Sequence, residues 1–175
     1  MTGKFSPLRF ALLFALGFGV LMASFEAARG TVIERWLVTD AVLVPTIALI
    51  NRITPGENAS LIGTAIATST SRLNVIRGCE GIELLLMLVA AILAYPASGS
   101  NRVRGLLIGA VLVDVLSVAR LAALHYVIHY SPGFWEISHG LLLPLLPVGL
   151  IAVYFMIWTA RSTARPPRRE AGYAT

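Results

Sequence analysis

Residues 140–160 read GLLLPLLPVGLIAVYFMIWTA, with no charged side chain among them. At 1.5 Å per residue a helix of that length covers about 30 Å, the thickness of a bilayer's hydrocarbon core. Arg161, Arg165, Arg168 and Arg169 follow it, and a cluster of that sign beside a span marks the cytoplasmic side. Reading backwards, residues 105–126 form a second apolar run, preceded by the basic loop Ser98-Gly99-Ser100-Asn101-Arg102-Val103-Arg104. A third run, residues 81–95, stops at Pro96, and a fourth, residues 10–25, follows a short basic head with Lys4 and Arg9. The fourth resembles a signal peptide, with Ala27-Ala28 as a cleavage point. Since the rest of the chain is also apolar, it reads as an uncleaved first span.

The whole composition agrees. The chain is 57% hydrophobic and 13% charged, and its mean hydropathy is +0.78. Soluble domains carry about 25% charged residues. The expected fold is therefore an all-α integral membrane protein, one domain over residues 1–175, with about four transmembrane helices. Residues 1–9 would be a cytoplasmic basic head and 161–175 a disordered cytoplasmic basic tail. A net charge of +5 raises nucleic-acid binding, but the basic residues gather at the termini and in one loop. They read as topology determinants, and no nucleic-acid partner is expected.

Two stretches fit no simple span. Residues 36–50 are apolar but hold Asp40 and Pro45, between Glu34-Arg35 and Arg52. A further span here would reverse the side on which residue 79 lies. An interfacial helix anchored by Trp36 is the expectation. Residues 54–76 contain Pro55-Gly56, Gly63 and the run Thr68-Ser69-Thr70-Ser71 between β-branched segments. They suit either a small external β-hairpin or a bare polar loop.

The chemistry centres on Arg77-Gly78-Cys79-Glu80-Gly81-Ile82-Glu83, which holds the only cysteine. A single cysteine excludes an internal disulfide and any cysteine-based metal cluster. At a helix N-terminus a thiol meets unpaired N–H groups and the positive end of the dipole, and Arg77 adds a full charge; all favour thiolate. The plain alternative is a small buried cysteine that packs. Arg120 is a charge inside an apolar helix, which marks a functional site or else a snorkelling side chain paired with an acid. Glu83, one turn below Cys79, is the expected partner, and Asp114 is a second charge in the same span as Arg120. His139 opens the last helix, with Glu136 three residues earlier to orient its ring. Counted from the basic edge, Cys79 lies at roughly 25 Å, Arg120 at about 24 Å and His139 at about 33 Å, all near the external interface. His125 and His129, spaced i,i+4, would present two nitrogens to a metal or haem, or belong to an aromatic belt with Tyr126 and Tyr130.

Taken in order, Gly78-Cys79-Glu80-Gly81, Leu116-Ser117-Val118-Ala119-Arg120-Leu121 and Phe134-Trp135-Glu136-Ile137-Ser138-His139 resemble the exosortase/archaeosortase family of membrane cysteine transpeptidases. The likeness covers roughly residues 56–158 and is nearest to the short exosortases. Ser117 departs from the pattern, since members often carry Asn there. The resemblance implies an enzyme of the bacterial inner membrane whose site faces the periplasm. It would cleave exported proteins that end in a short motif, a transmembrane helix and a basic tail, without a cofactor. Cys79, Arg120 and His139 would be catalytic, with Glu83, Ser117 and Glu136 in support, and a membrane lipid or other amine could accept the acyl group. Two alternatives are a cytochrome or metal protein using His125, His129 and His139, and a non-catalytic assembly subunit in which Arg120, Glu83 and Asp114 bind a partner helix.

Overall fold

The computed structural model describes residues 6–68, 71–75 and 80–163. The chain is mostly helical, with a three-stranded sheet between its first and second halves. Helix α1, Pro7–Ala27, starts as its sequence dictates: Ser6 accepts the Arg9 N–H at 3.4 Å and Pro7 fills the first helical turn. It stops at Gly30, whose φ of +74° turns the chain back. There Arg29 pairs with Glu26 at 2.5 Å and with Glu34 at 3.3 Å.

A second helical run follows: α2 (Val32–Glu34), a π-helical stretch Arg35–Leu43, and α3 (Val44–Ile53). Pro45 has no N–H to give to the ladder, and the turns before it are widened. Trp36 is exposed, whereas Val38, Val42, Leu43, Thr46 and Ile50 are buried. One face of the run thus belongs to the core, and the run is not among the helices long and apolar enough to cross a membrane.

After a 3₁₀ turn, Pro55–Glu57, strands β1 (Ser60–Ile62), β2 (Ala65–Ala67) and β3 (Arg72–Asn74) pair antiparallel in that order. Residues 61–67, read as one β segment, are a hairpin in themselves. Gly63 at φ +65° makes the two-residue turn, and the Thr68–Ser71 region leads into a third strand. Leu61, Ile66 and Leu73 stand opposite one another, and Ile66 and Leu73 are buried. The side-chain amide of Asn51 fastens the sheet to α3 by receiving the Ala59 N–H at 2.7 Å and donating to the Ala59 carbonyl at 2.9 Å.

The remaining helices are α4 (Ile82–Ala94), α5 (Gly99–Tyr130), a single turn α6 (Trp135–Ile137), and α7 (Leu143–Thr163). A π-helical stretch, Ser138–Leu142, joins α6 to α7 and again precedes a proline, Pro144. Among the described residues three helical runs are long and apolar enough to cross a membrane: Pro7–Ala27, Gly99–Tyr130 and Trp135–Ser162. Helix α4 has 13 residues and covers about 20 Å. Apolar side chains at Leu12 and Leu16 of α1, Leu107 and Val111 of α5, and Leu145 and Leu146 of α7 stand exposed. Apolar faces of that extent suit hydrocarbon rather than water.

Two cores share α5. The first joins Val42, Leu43 and Ile50 to Ile66, Leu73, Leu121 and Leu124; the second joins Leu84, Leu88 and Ile92 to Val113, Ile151 and Trp158. In the second, α7 reaches α5 because Gly105 has no side chain. Trp158 Nε1 donates to the Asn101 carbonyl at 3.1 Å and Tyr154 donates to the Gly105 carbonyl at 2.6 Å. A Cβ at Gly105 would stand 2.4 Å from Trp158 Nε1, whereas one at Gly149 would meet nothing within 4 Å. Gly105→Ala should therefore destabilise the protein by about 1–3 kcal/mol, the usual range for overpacking. Gly149→Ala should be neutral or slightly stabilising. Thermal inactivation of the two variants in detergent, followed by size-exclusion profile, checks the contrast.

Candidate functional site

Helix α4 begins at Gly81, whose φ of +81° is open to few residues besides glycine. A Cβ there would lie 1.9 Å from Ser117 Oγ, so the start of α4 touches α5 backbone to side chain. Ser117 is buried, and its hydroxyl donates to the Val113 carbonyl at 2.8 Å. One turn on, Arg120 is half-buried. Arg120, Ser117, Gly81 and Glu83 together line a cavity of about 290 Å³, completed by Phe18 of α1 and by Pro144 and Pro147 of α7.

His139 lies in a neighbouring cavity of about 250 Å³, lined by Leu73, Asn74, Val75, Leu121, Leu124 and Trp135. Its ring stacks on Trp135, with centroids 4.9 Å apart and planes inclined by 21°. The two cavities have no lining residue in common, but they are stacked along one face of α5: Ser117 and Arg120 serve the first, Leu121 and Leu124 the second. The last helical run passes both as well, giving His139 to one and Pro144, Pro147 and Val148 to the other.

Cys79 lies outside the described residues, as do Arg77 and Gly78, residues 1–5 and the tail beyond 163. The described residues on either side are informative. Val75 is buried in the His139 cavity, and Gly81 is in the Arg120 cavity.

The supporting residues divide. Glu83 shares the Arg120 cavity and is exposed, yet no ion pair within 4.0 Å joins the two among the described residues. Glu136 is exposed and forms no ion pair with His139 among the described residues. The imidazole stacks on the Trp135 ring four residues earlier, a spacing that puts two side chains on one helix face. Asp114 lines a third cavity on the other side of Gly81, with Trp36 and the buried Glu80.

The histidines of the metal or haem reading are otherwise engaged. His125 is fully buried, and its Nε2 lies 2.5 Å from Glu57 Oε2. His129 Nε2 stands 4.0 Å from the other oxygen of the same carboxylate. Among the described residues no three His, Cys, Asp or Glu side chains come close enough to hold a metal. Beside this pair, the Tyr126 hydroxyl and Thr54 Oγ1 are 2.6 Å apart. No local pattern announces the Glu57–His125 contact, since its partners are 68 residues apart. The signals available were an acid in a Pro-Gly turn and a histidine on the inner face of a long helix.

No family model, curated protein or solved structure matches the chain.

Breaking a buried pair by truncating one partner typically costs about 3–5 kcal/mol, because the other is left desolvated and unpaired. Glu57→Ala should lose about that much, and Glu83→Gln, at an exposed position, should stay within about 0.5 kcal/mol of wild type. Detergent-solubilised stability of both variants, at one pH, measures the difference.

Proposed function

We propose that the protein is a membrane-embedded cysteine peptidase or transpeptidase acting on exported proteins with a C-terminal motif, transmembrane helix and basic tail. The observation that carries this reading is that Val75 lines the cavity of His139 and Gly81 lines that of Arg120, the two residues standing on either side of Cys79 in the sequence. Covalent connectivity keeps Cys79 within two peptide units of Gly81, about 7–8 Å between Cα atoms at most. In this reading α1, α4, α5 and α7 are the four spans, the bilayer thins beside the short α4, and the site faces the periplasm of a bacterial inner membrane.

The steps follow from the side chains. Cys79 thiolate adds to the scissile carbonyl carbon, and Arg120 stabilises the oxyanion that develops, in surroundings dry enough for a fixed charge to act strongly. The C–N bond breaks as His139 gives a proton to the departing amine, leaving a thioester on Cys79. Water or an amine then adds to the thioester, gives its proton to His139, and the C–S bond breaks to release the thiolate. Trp135 holds the imidazole plane, and Ser117 secures the α4–α5 contact that presents the cysteine loop.

C-terminal peptides of exported proteins, compared between cells carrying wild type and Cys79→Ala, test the reading. Tails that still carry their apolar helix should accumulate only in the mutant, with the mutant protein present in the membrane. Matching sets would overturn the proposal. Arg120→Lys removes the planar fork and should reduce processing by about 10²–10³-fold. His139→Ala should reduce it by about 10²–10⁴-fold.

A further inference from the structure

The sheet has two edges, and they differ. Strand β1 is held against α3, where the Asn51 amide closes on Ala59. Strand β3, Arg72–Asn74, comes last in the order β1-β2-β3, so its far side meets no further strand. The main-chain groups of β3 divide between its two sides. The Thr68 N–H donates to the Ser71 carbonyl at 2.9 Å and the Val75 N–H to the Thr64 carbonyl at 3.3 Å, while Leu73 stands opposite Ile66. In an antiparallel ladder alternate residues bond to the same neighbour. Ser71, Leu73 and Val75 therefore serve β2, and the N–H and C=O groups of Arg72 and Asn74 point outward. Among the described residues no hydrogen bond takes up those outward groups. The His139 cavity meets this edge, for Leu73, Asn74 and Val75 line it in succession. Side chains of consecutive strand residues point to opposite faces, so a cavity that touches all three lies against the main chain. Leu73 and Val75 are buried, whereas Arg72 and Asn74 are exposed. Cys79 follows Asn74 by five residues in the sequence.

We propose that the outer edge of β3 takes up the recognition segment of the exported substrate as an added strand, held by the main-chain groups of Arg72 and Asn74. The identity of this occupant rests on the processing reading; the edge and the cavity supply the way it is held. A row of unpaired N–H and C=O groups matches an extended peptide, and pockets beside the edge then select among its side chains. Residues directly opposite in neighbouring strands share a face. A substrate residue across from Leu73 thus points with it toward Leu121 and Leu124, beside Trp135 and His139. Those walls suit an apolar side chain. A second copy of this chain is the poorer occupant, because edge-to-edge pairing sets one exposed Arg72 near another. A different chain can place an acidic residue there instead.

The exported tails that accumulate with Cys79→Ala supply the probe, a synthetic peptide of the residues just before the apolar helix. Single N-methyl groups are moved along it, and binding to the full-length Cys79→Ala protein in nanodiscs is measured. Binding should weaken about fivefold, the worth of one main-chain hydrogen bond, at alternate residues and little at those between, because every second N–H of an added strand faces β3. Asn74→Pro removes an outward N–H and no bond to β2, and an edge strand accommodates proline in that position. It should weaken binding of the unmethylated peptide by a similar factor and slow processing in cells. N-methyl effects that do not alternate, or none at all, would overturn the proposal, and this result needs no variant of β3 to fold. A dimer of the Cys79→Ala protein that the peptide fails to dissociate would give the edge to a second copy and overturn it too. If Cys79→Ala accumulates no tails, the processing reading and this occupant fall together; tails without alternation remove the added strand alone.

Discussion

Helix α4 can approach α5 only because side chains are missing at two places. At Gly81 a single methyl group would overlap Ser117, and at Gly109 one would stand 2.6 Å from Leu88 and 3.1 Å from Tyr154. With those contacts closed, the start of α4 faces the turn of α5 that carries Arg120. The charge then opens into a cavity between helices rather than onto lipid. The placement of the sheet depends on the next turn of the same helix, where Leu121 and Leu124 pack with Leu73 of β3. A bundle with wider spacing between α4 and α5 would leave the arginine with only hydrocarbon to face, at a cost of several kcal/mol.

The sequence was most legible where one physical demand dominates. Uninterrupted apolar length revealed the runs at 10–25, 105–126 and 140–160, which lie inside the longer helical runs 7–27, 99–130 and 135–162; residues 99–104, read as a basic loop, are the first turns of α5, and a proline bounded α4. The role of Gly63 was harder, because a glycine within an alternating segment can mark a bulge, a close approach or a turn, and here it is a turn. Arg120 was visible because a charge within an apolar helix has few reasons to be there. Glu57 was not, since a carboxylate in a Pro-Gly turn ordinarily points to water. Only the folded chain shows that it turns inward to His125. The expected partners of Arg120 and His139, Glu83 and Glu136, were chosen by helical spacing. Glu136 lies in the α-helical turn Trp135–Ile137 and is exposed, and the His139 ring stacks on Trp135.

Polar groups in the upper half of the bundle are held by short, local devices. The Asn51 amide closes on both backbone groups of Ala59, Tyr126 meets Thr54, and Glu57 meets His125. Each ties the segment after α3 to a helix, so the sheet that follows starts from a fixed base. Backbone that is neither helix nor sheet survives at membrane depth only when it is enclosed in this way. The sheet is small, and its central strand is buried on both faces, Ala65 on one and Ile66 on the other.

The two π-helical stretches carry a different consequence. A π turn holds one residue more than the α turn it replaces, and each residue of an α-helix advances the chain by about 100° around its axis. Between Trp135 and Pro144 the helix is therefore a phase shifter: the residues before it face the sheet, and those after it face α4 and α5. Such a segment constrains chain length more tightly than chain composition. Many substitutions at Gly140 or Leu141 would leave the phase intact, whereas loss of a single residue would restore the regular helix and swing the imidazole of His139 a quarter-turn away from the cavity it now lines.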